Sequence, residues 1–232
     1  MYVAGEAPKI FISADRPHGR RNFTCAHELG HHVLGHGQQF DELSVRRKQD
    51  RKKDLTELCA DAFASYFLMP KTLLDSALKR RAIAYDALTP QDVYALSCWL
   101  GVGYTTLIAH LEVGLRTITS PHALRLRKER LPQLRASFIG RPLSNHLHVV
   151  DQHWTGAAVD CEAGDVLLVP EGARTEGVLL TVLGSVGRGD LLQITQPGIA
   201  RISNSSWAVF VRASRKRYVG RGRYRFEEEV LE

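Results

Sequence analysis

The chain has 232 residues, 44% of them hydrophobic and 24% charged, with a formal net charge of +6. This composition is that of an ordinary globular protein, long enough for one large or two small domains, and it contains no repeats or low-complexity segments. No apolar run reaches the ~18 residues a membrane span needs and no basic leader precedes an apolar stretch, so a cytoplasmic location without membrane contact is expected. Cys25, Cys59, Cys98 and Cys161 lack paired spacing. That argues against a disulfide framework or a cysteine zinc site, and simple buried thiols are expected.

In chain order, residues 9–13 read as a short strand, and residues 20–36 as a helix carrying His27-Glu28-Leu29-Gly30-His31. Positions four apart lie one turn above each other on a helix, so His27 and His31 can turn two neutral ring nitrogens towards one metal ion. Glu28 faces the same cavity outside ligand geometry. That position suits a general base, taking a proton from water activated by the metal and passing it to the leaving amine of a peptide bond. A histidine pair on a helix can also be surface decoration, so a third ligand is needed. Gly37 stands where the metzincin pattern requires a histidine. His32 should face away from the metal, and His36 falls at or beyond the helix end.

A polar, charged connection carrying Arg46, Arg47, Lys48, Arg51, Lys52 and Lys53 leads to a second helix, about residues 54–69, stopped by Pro70. Glu57 and Asp61 share one face of it. Glu57 is expected to complete a His, His, Glu ligand set, with Asp61 accepting the other ring N–H of a ligand histidine. One Zn²⁺ per chain is the expected cofactor, with another divalent ion such as Mn²⁺ as the alternative.

Residues 23–31, followed by Glu57-x-x-Ala60-Asp61-x-Phe63-Ala64 and Leu68-Met69-Pro70, resemble the ImmA/IrrE metallopeptidases. The resemblance covers roughly residues 8–118. It implies a gluzincin-like zinc endopeptidase that cleaves a helix-turn-helix repressor or an antitoxin-like partner, relieving repression in a stress or mobile-element response. It also implies that the first strand holds the substrate backbone.

Residues 71–82 form a further helix, and Thr89 and Pro90 mark another helix start. Val93, Leu96, Leu100, Leu107, Ile108 and Leu111, around the Gly101-Val102-Gly103 turn, give a helix-turn-helix-like unit near residues 90–115. Its second helix brings no Arg or Lys before Arg116, so packing against the peptidase core is favoured over reading DNA. Residues 123–134 form a basic helical stretch. Beyond Pro142, short runs at 146–150, 165–169, 178–183, 191–194 and 207–211 alternate with turn residues and read as a small antiparallel β domain. Trp154 and Trp207 are expected as core or rim aromatics. An oxyanion donor is not fixed by pattern, with Tyr66, Tyr104 and His110 as the alternatives.

The expected architecture is therefore α+β: a mainly helical zincin-like peptidase domain with a short N-terminal sheet over residues 1–120, a basic helical linker over 121–142, and a β-rich regulatory or partner-binding domain over 143–232. Near the end, Arg212, Arg215, Lys216, Arg217, Arg221, Arg223 and Arg225 interleave with Tyr218 and Tyr224. This cluster either meets nucleic acid or an acidic partner, or forms a solvated face balanced by Glu227, Glu228 and Glu229. The competing functional class is thus a non-catalytic regulator that sequesters a partner or binds nucleic acid through that surface.

Overall fold

The computed structural model describes residues 1–36, 55–187 and 189–227. The basic run at 46–53, Gly37, and Glu228 and Glu229 lie outside the described residues. The described chain is α+β: a two-stranded hairpin, seven α-helices, then eight strands in two sheets.

Strands β1 (Tyr2–Val3) and β2 (Lys9–Ile10) pair antiparallel. The expected strand at 9–13 is therefore shorter than its apolar run. Phe11 extends the ladder by one N–H donated to the Met1 carbonyl, and Phe11, Ile12 and Ser13 stand exposed. Helix α1 (His18–Val33) starts after Pro17 and ends as Gly35 turns left-handed at φ 68°, three residues before the end expected from sequence. Helix α2 (Leu55–Leu68) lies against α1, and the two backbones meet closely at Gly30, where a Cβ would stand 3.2 Å from Ala60 Cα and 3.1 Å from Phe63. A side chain at position 30 would wedge apart the two helices that carry His27, His31 and Glu57.

Helix α3 (Lys71–Arg81) is followed by α4 (Pro90–Leu100), whose start is fixed by a reciprocal capping box between Thr89 and Asp92 with Pro90 in the first turn. Gly101, at φ 63°, closes α4 and leads into α5 (Tyr104–Ala109), continued by a π-helical turn at His110–Gly114. Leu107, Ile108 and Leu111 are fully buried, in keeping with a packing role for this unit. It buttresses the start of α1: Asn22 Nδ2 donates to the Gly101 carbonyl at 2.9 Å, and a Cβ on Gly19 would lie 2.6 Å from the Val102 carbonyl carbon. Because that obstacle is backbone, Gly19→Ala should destabilise the fold by about 3 kcal/mol through overpacking, measurable as a lowered urea midpoint. An unchanged midpoint would show that the α1 contact yields freely.

The stretch expected as one basic helix is two, α6 (Ser120–Lys128) and α7 (Leu131–Ile139). The extended backbone at Glu129 and Arg130 breaks it, and Leu126, Leu134 and Phe138 face the core. Strands β3 (Leu147–Val149), β5 (Val166–Val169), β8 (Gly189–Ile194) and β7 (Leu180–Val186) form one sheet in the order β3-β5-β8-β7. Strands β4 (Val159–Glu162), β10 (Ala208–Ser214), β9 (Gly198–Ser203) and β6 (Arg174–Glu176) form the other in the order β4-β10-β9-β6. The sheets are mixed rather than antiparallel, since β3 pairs β5 and β4 pairs β10 in parallel. The pattern missed β4, β6 and β9, in which charged or small residues stand among apolar ones or in place of them. One continuous apolar cluster runs from Met69 through Ala213, and Trp154 and Trp207 are buried in it. Tyr94 on α4 ties the helices to the sheets by donating its hydroxyl to the Leu147 carbonyl at 2.7 Å.

No helix among the described residues is long and apolar enough to cross a membrane. All four cysteines are free; Cys161 is buried as expected, Cys25 and Cys98 are partly buried, and Cys59 is exposed because its place on α2 faces outward.

Candidate metal centre

The four-residue spacing on α1 places His27 Nε2 and His31 Nε2 3.0 Å apart, and α2 brings the Glu57 carboxylate to them, at 3.3 Å from His27 Nε2 and 3.4 Å from His31 Nε2. Ligand atoms of these three residues all lie within 4.8 Å of one another, the one such group of His, Cys, Asp and Glu among the described residues. Donors about 2.0–2.1 Å from a tetrahedral ion stand about 3.3 Å apart. The ring nitrogens and the nearest Glu57 oxygens stand close to that spacing, so the donor set suits a divalent cation. His31 is 1% exposed and Glu57 43% exposed on their side chains, so the group is closed on the α1 side and open towards Glu57.

Asp61 stands one turn beyond Glu57, and its Oδ1 meets His27 Nδ1 at 3.0 Å. That hydrogen bond is the main cause raising the His27 pKa above its ordinary value, against desolvation. The His31 pKa is lowered, first by burial and then by the neighbouring His27 charge. The pair is thus set to keep His31 neutral, as a ligand must be. Behind it, His31 Nδ1 meets His36 Nδ1 at 3.1 Å. Sequence reading placed His36 at the helix end and missed this contact, which arises because the chain turns back at Gly35. His32 points away and accepts the Tyr2 hydroxyl or donates to it, depending on its tautomer, at 2.6 Å.

Glu28 is buried at 6% exposure and its Oε1 accepts from the Met1 amino group at 2.7 Å. It shares with His27, His31, Glu57 and Asp61 the lining of one cleft of about 1520 Å³. The C-terminal half lines the same cleft with His146, His148, Trp154 and Asp160 among others. Three side chains considered as oxyanion donors are already engaged: Tyr66 with the Gly114 carbonyl, Tyr104 with the Leu126 carbonyl, and His110 with the Met69 carbonyl.

The C-terminal cations are partly neutralised. Arg212 and Arg225 both donate to Asp160, at 2.7–2.9 Å and 2.8 Å, and stack on Phe226. Arg217 reaches Asp15 at 3.3 Å, Arg223 lies over Tyr224, and Arg215, Lys216 and Arg221 stand at the surface around a turn. Pairing across β4 and β10, invisible in a one-dimensional charge count, accounts for the strongest of these contacts.

At its start, α1 also meets the β-rich half. Arg21 pairs with Glu162, and His18 Nε2 is shielded with no hydrogen-bond partner. Burial, then the His148 charge, lowers the His18 pKa to about 3. A neutral buried histidine costs nothing in protonation above about pH 6.5, where the unfolded chain is also neutral. As pH falls below that, the unfolded state binds the proton first, and stability is lost progressively towards pH 3. Between pH 7 and pH 5, His18 should cost about 2 kcal/mol, and urea melts of His18→Gln should show that much less acid sensitivity than wild type. Equal sensitivity would refute a neutral His18.

Residues 2–98 match the IrrE N-terminal-like domain, Peptidase M78. No curated protein and no solved structure matches the chain. The matched segment contains α1 and α2 with all of His27, Glu28, His31, Glu57 and Asp61. Over residues 2–98, then, the chain is similar to the IrrE N-terminal-like peptidase domain, in line with the ImmA/IrrE resemblance carried by its motifs.

Proposed function

We propose that this protein is a zinc-dependent endopeptidase of zincin-like design that cleaves a regulatory protein, most plainly a DNA-binding repressor. The observation that carries the reading is the convergence of His27, His31 and Glu57 from two helices within 4.8 Å, beside a buried Glu28. A divalent cation held there supplies a Lewis acid that polarises a peptide carbonyl and makes water acidic. Glu28 takes the proton of the attacking water and delivers it to the departing amine nitrogen. Asp61 holds the His27 ring through Nδ1, which fixes Nε2 as its ligand atom. The cleft orients the polypeptide and limits access of bulk water to Glu28. The domain match supports the peptidase class; the repressor substrate is inferred from the resemblance.

The test uses Glu28→Gln and wild type as baits in the native cell, with bound proteins and fragments identified by mass spectrometry. A DNA-binding protein captured intact by the mutant and cut by wild type supports the reading. Purified protein without stoichiometric zinc or manganese, or a partner left whole by both baits, overturns it. Sequestration through the basic C-terminus gains no support from the Arg212 and Arg225 pairs with Asp160.

A further inference from the structure

Away from the metal ligands, the lining of the cleft holds a further group of titratable residues. Arg135 on α7 lines the cleft with His146 and His148. Its Nη1 donates to the Asn145 carbonyl at 2.9 Å, while its Nε is shielded with no acceptor. No carboxylate lies within ion-pair distance of it among the described residues. Other arginines where α1 meets the β-rich half have one: Arg21 meets Glu162, and Arg212 and Arg225 meet Asp160.

Asp165, the acid held beside His148, is spent elsewhere. Its Oδ2 accepts from the Glu162 N–H at 2.9 Å and meets His148 Nε2 at 3.0 Å. His146 stacks edge-on against His148 at a centroid distance of 4.6 Å and stands open to the cleft. The group therefore offers an uncompensated guanidinium and a second ring donor within the cleft that His27, His31 and Glu57 also line. A guanidinium fork matches a carboxylate in shape and charge, and a small turn towards one would exchange an unsatisfied Nε–H for a satisfied one.

We propose that Arg135, seconded by His146, anchors a carboxylate of the polypeptide bound in the cleft, either an acidic side chain or the C-terminal carboxylate. This rests on the reading of the cleft as a peptide-binding site. It gives the β-rich half and α7 a share in substrate selection, because the anchor lines the same cleft as His27, Glu28 and His31.

The experiment measures binding of short fluorescein-labelled peptides to the full chain carrying Glu28→Gln, by anisotropy. Otherwise identical Ala/Leu/Gly peptides carry one internal Glu or Gln with an amidated end, or no acid with a free or amidated end. The Glu peptide, the free-end peptide, or both should bind about tenfold tighter than their neutral counterparts. Which of the two gains identifies the source of the carboxylate. Adding Arg135→Gln should abolish the gain, Arg135→Lys should keep part of it, and His146→Gln should reduce it. Equal binding of acidic and neutral peptides, a gain that survives Arg135→Gln, or no binding of any acidic peptide up to about 1 mM would overturn the proposal. If Arg135→Gln does not fold, judged by circular dichroism, Arg135→Lys and His146→Gln decide it. Cleavage of the same peptides by zinc-loaded wild type is followed in parallel. Acid-dependent binding without any cleavage would remove the peptidase reading and leave the anchor standing.

Discussion

Glu28→Gln is expected to lower kcat for peptide cleavage by about 10²–10⁴-fold, the usual worth of a positioned general base, while metal content and thermal stability stay near wild type. The substitution is nearly isosteric, and Glu28 is not among the three residues whose ligand atoms converge. Its carboxylate is buried at 6% exposure on the metal-facing side of α1, so an amide there keeps the volume and loses the proton acceptor. KM should change little, because the loss falls on a step after binding. Stopped cleavage with wild-type metal content is the signature of a base. Loss of metal together with activity would instead place Glu28 among the ligands, and undiminished kcat would remove it from the chemistry. Measurement requires only metal analysis, a thermal melt and steady-state rates on one cleaved peptide.

The candidate ligand set was legible because it is written in helical periodicity. His31 follows His27 by four positions and Asp61 follows Glu57 by four, so each pair falls on one helix face. The structure brings Glu57 to both histidines and Asp61 to His27 Nδ1. The Thr89–Asp92 cap and the Gly101 turn were legible for the same reason, since capping chemistry is local. What pattern could not supply is everything made by distant pairing. The parallel pairs β3 with β5 and β4 with β10 depend on contacts across tens of residues, and β6, with Arg174, Thr175 and Glu176, has no apolar face to announce it. The same limit hid the role of Arg135: only in three dimensions does it share a cleft with His27 while Asp165 is taken by His148. The exposed Cys59 shows the limit on a smaller scale, since its burial depended on which face of α2 meets α1.

Glu57→Ala and Asp61→Asn should separate a residue that holds the metal from one that orients a ligand. Removing one of three protein ligands should forfeit about a third of the ~10–16 kcal/mol by which a protein zinc site binds its ion, which weakens binding by about 200-fold or more at about 1.4 kcal/mol per decade. Asp61→Asn retains an oxygen that can accept from His27 Nδ1 at the present 3.0 Å, so the ring keeps its orientation and loses only the adjacent negative charge. That charge is part of what raises the His27 pKa, and a less basic ring is a weaker ligand, so a loss of about 10–100-fold is expected. Competition with a chromogenic chelator at neutral pH measures both. Because Glu57 approaches both ring nitrogens from α2, its removal should also free α2 from α1 at that end, and zinc should then no longer raise the thermal midpoint of Glu57→Ala as it does for wild type. If Asp61→Asn costs as much as Glu57→Ala, the two carboxylates exchange roles, with Asp61 a ligand in its own right. If neither change weakens binding, the ion is held elsewhere and the convergence of His27, His31 and Glu57 is a hydrogen-bonded cluster alone.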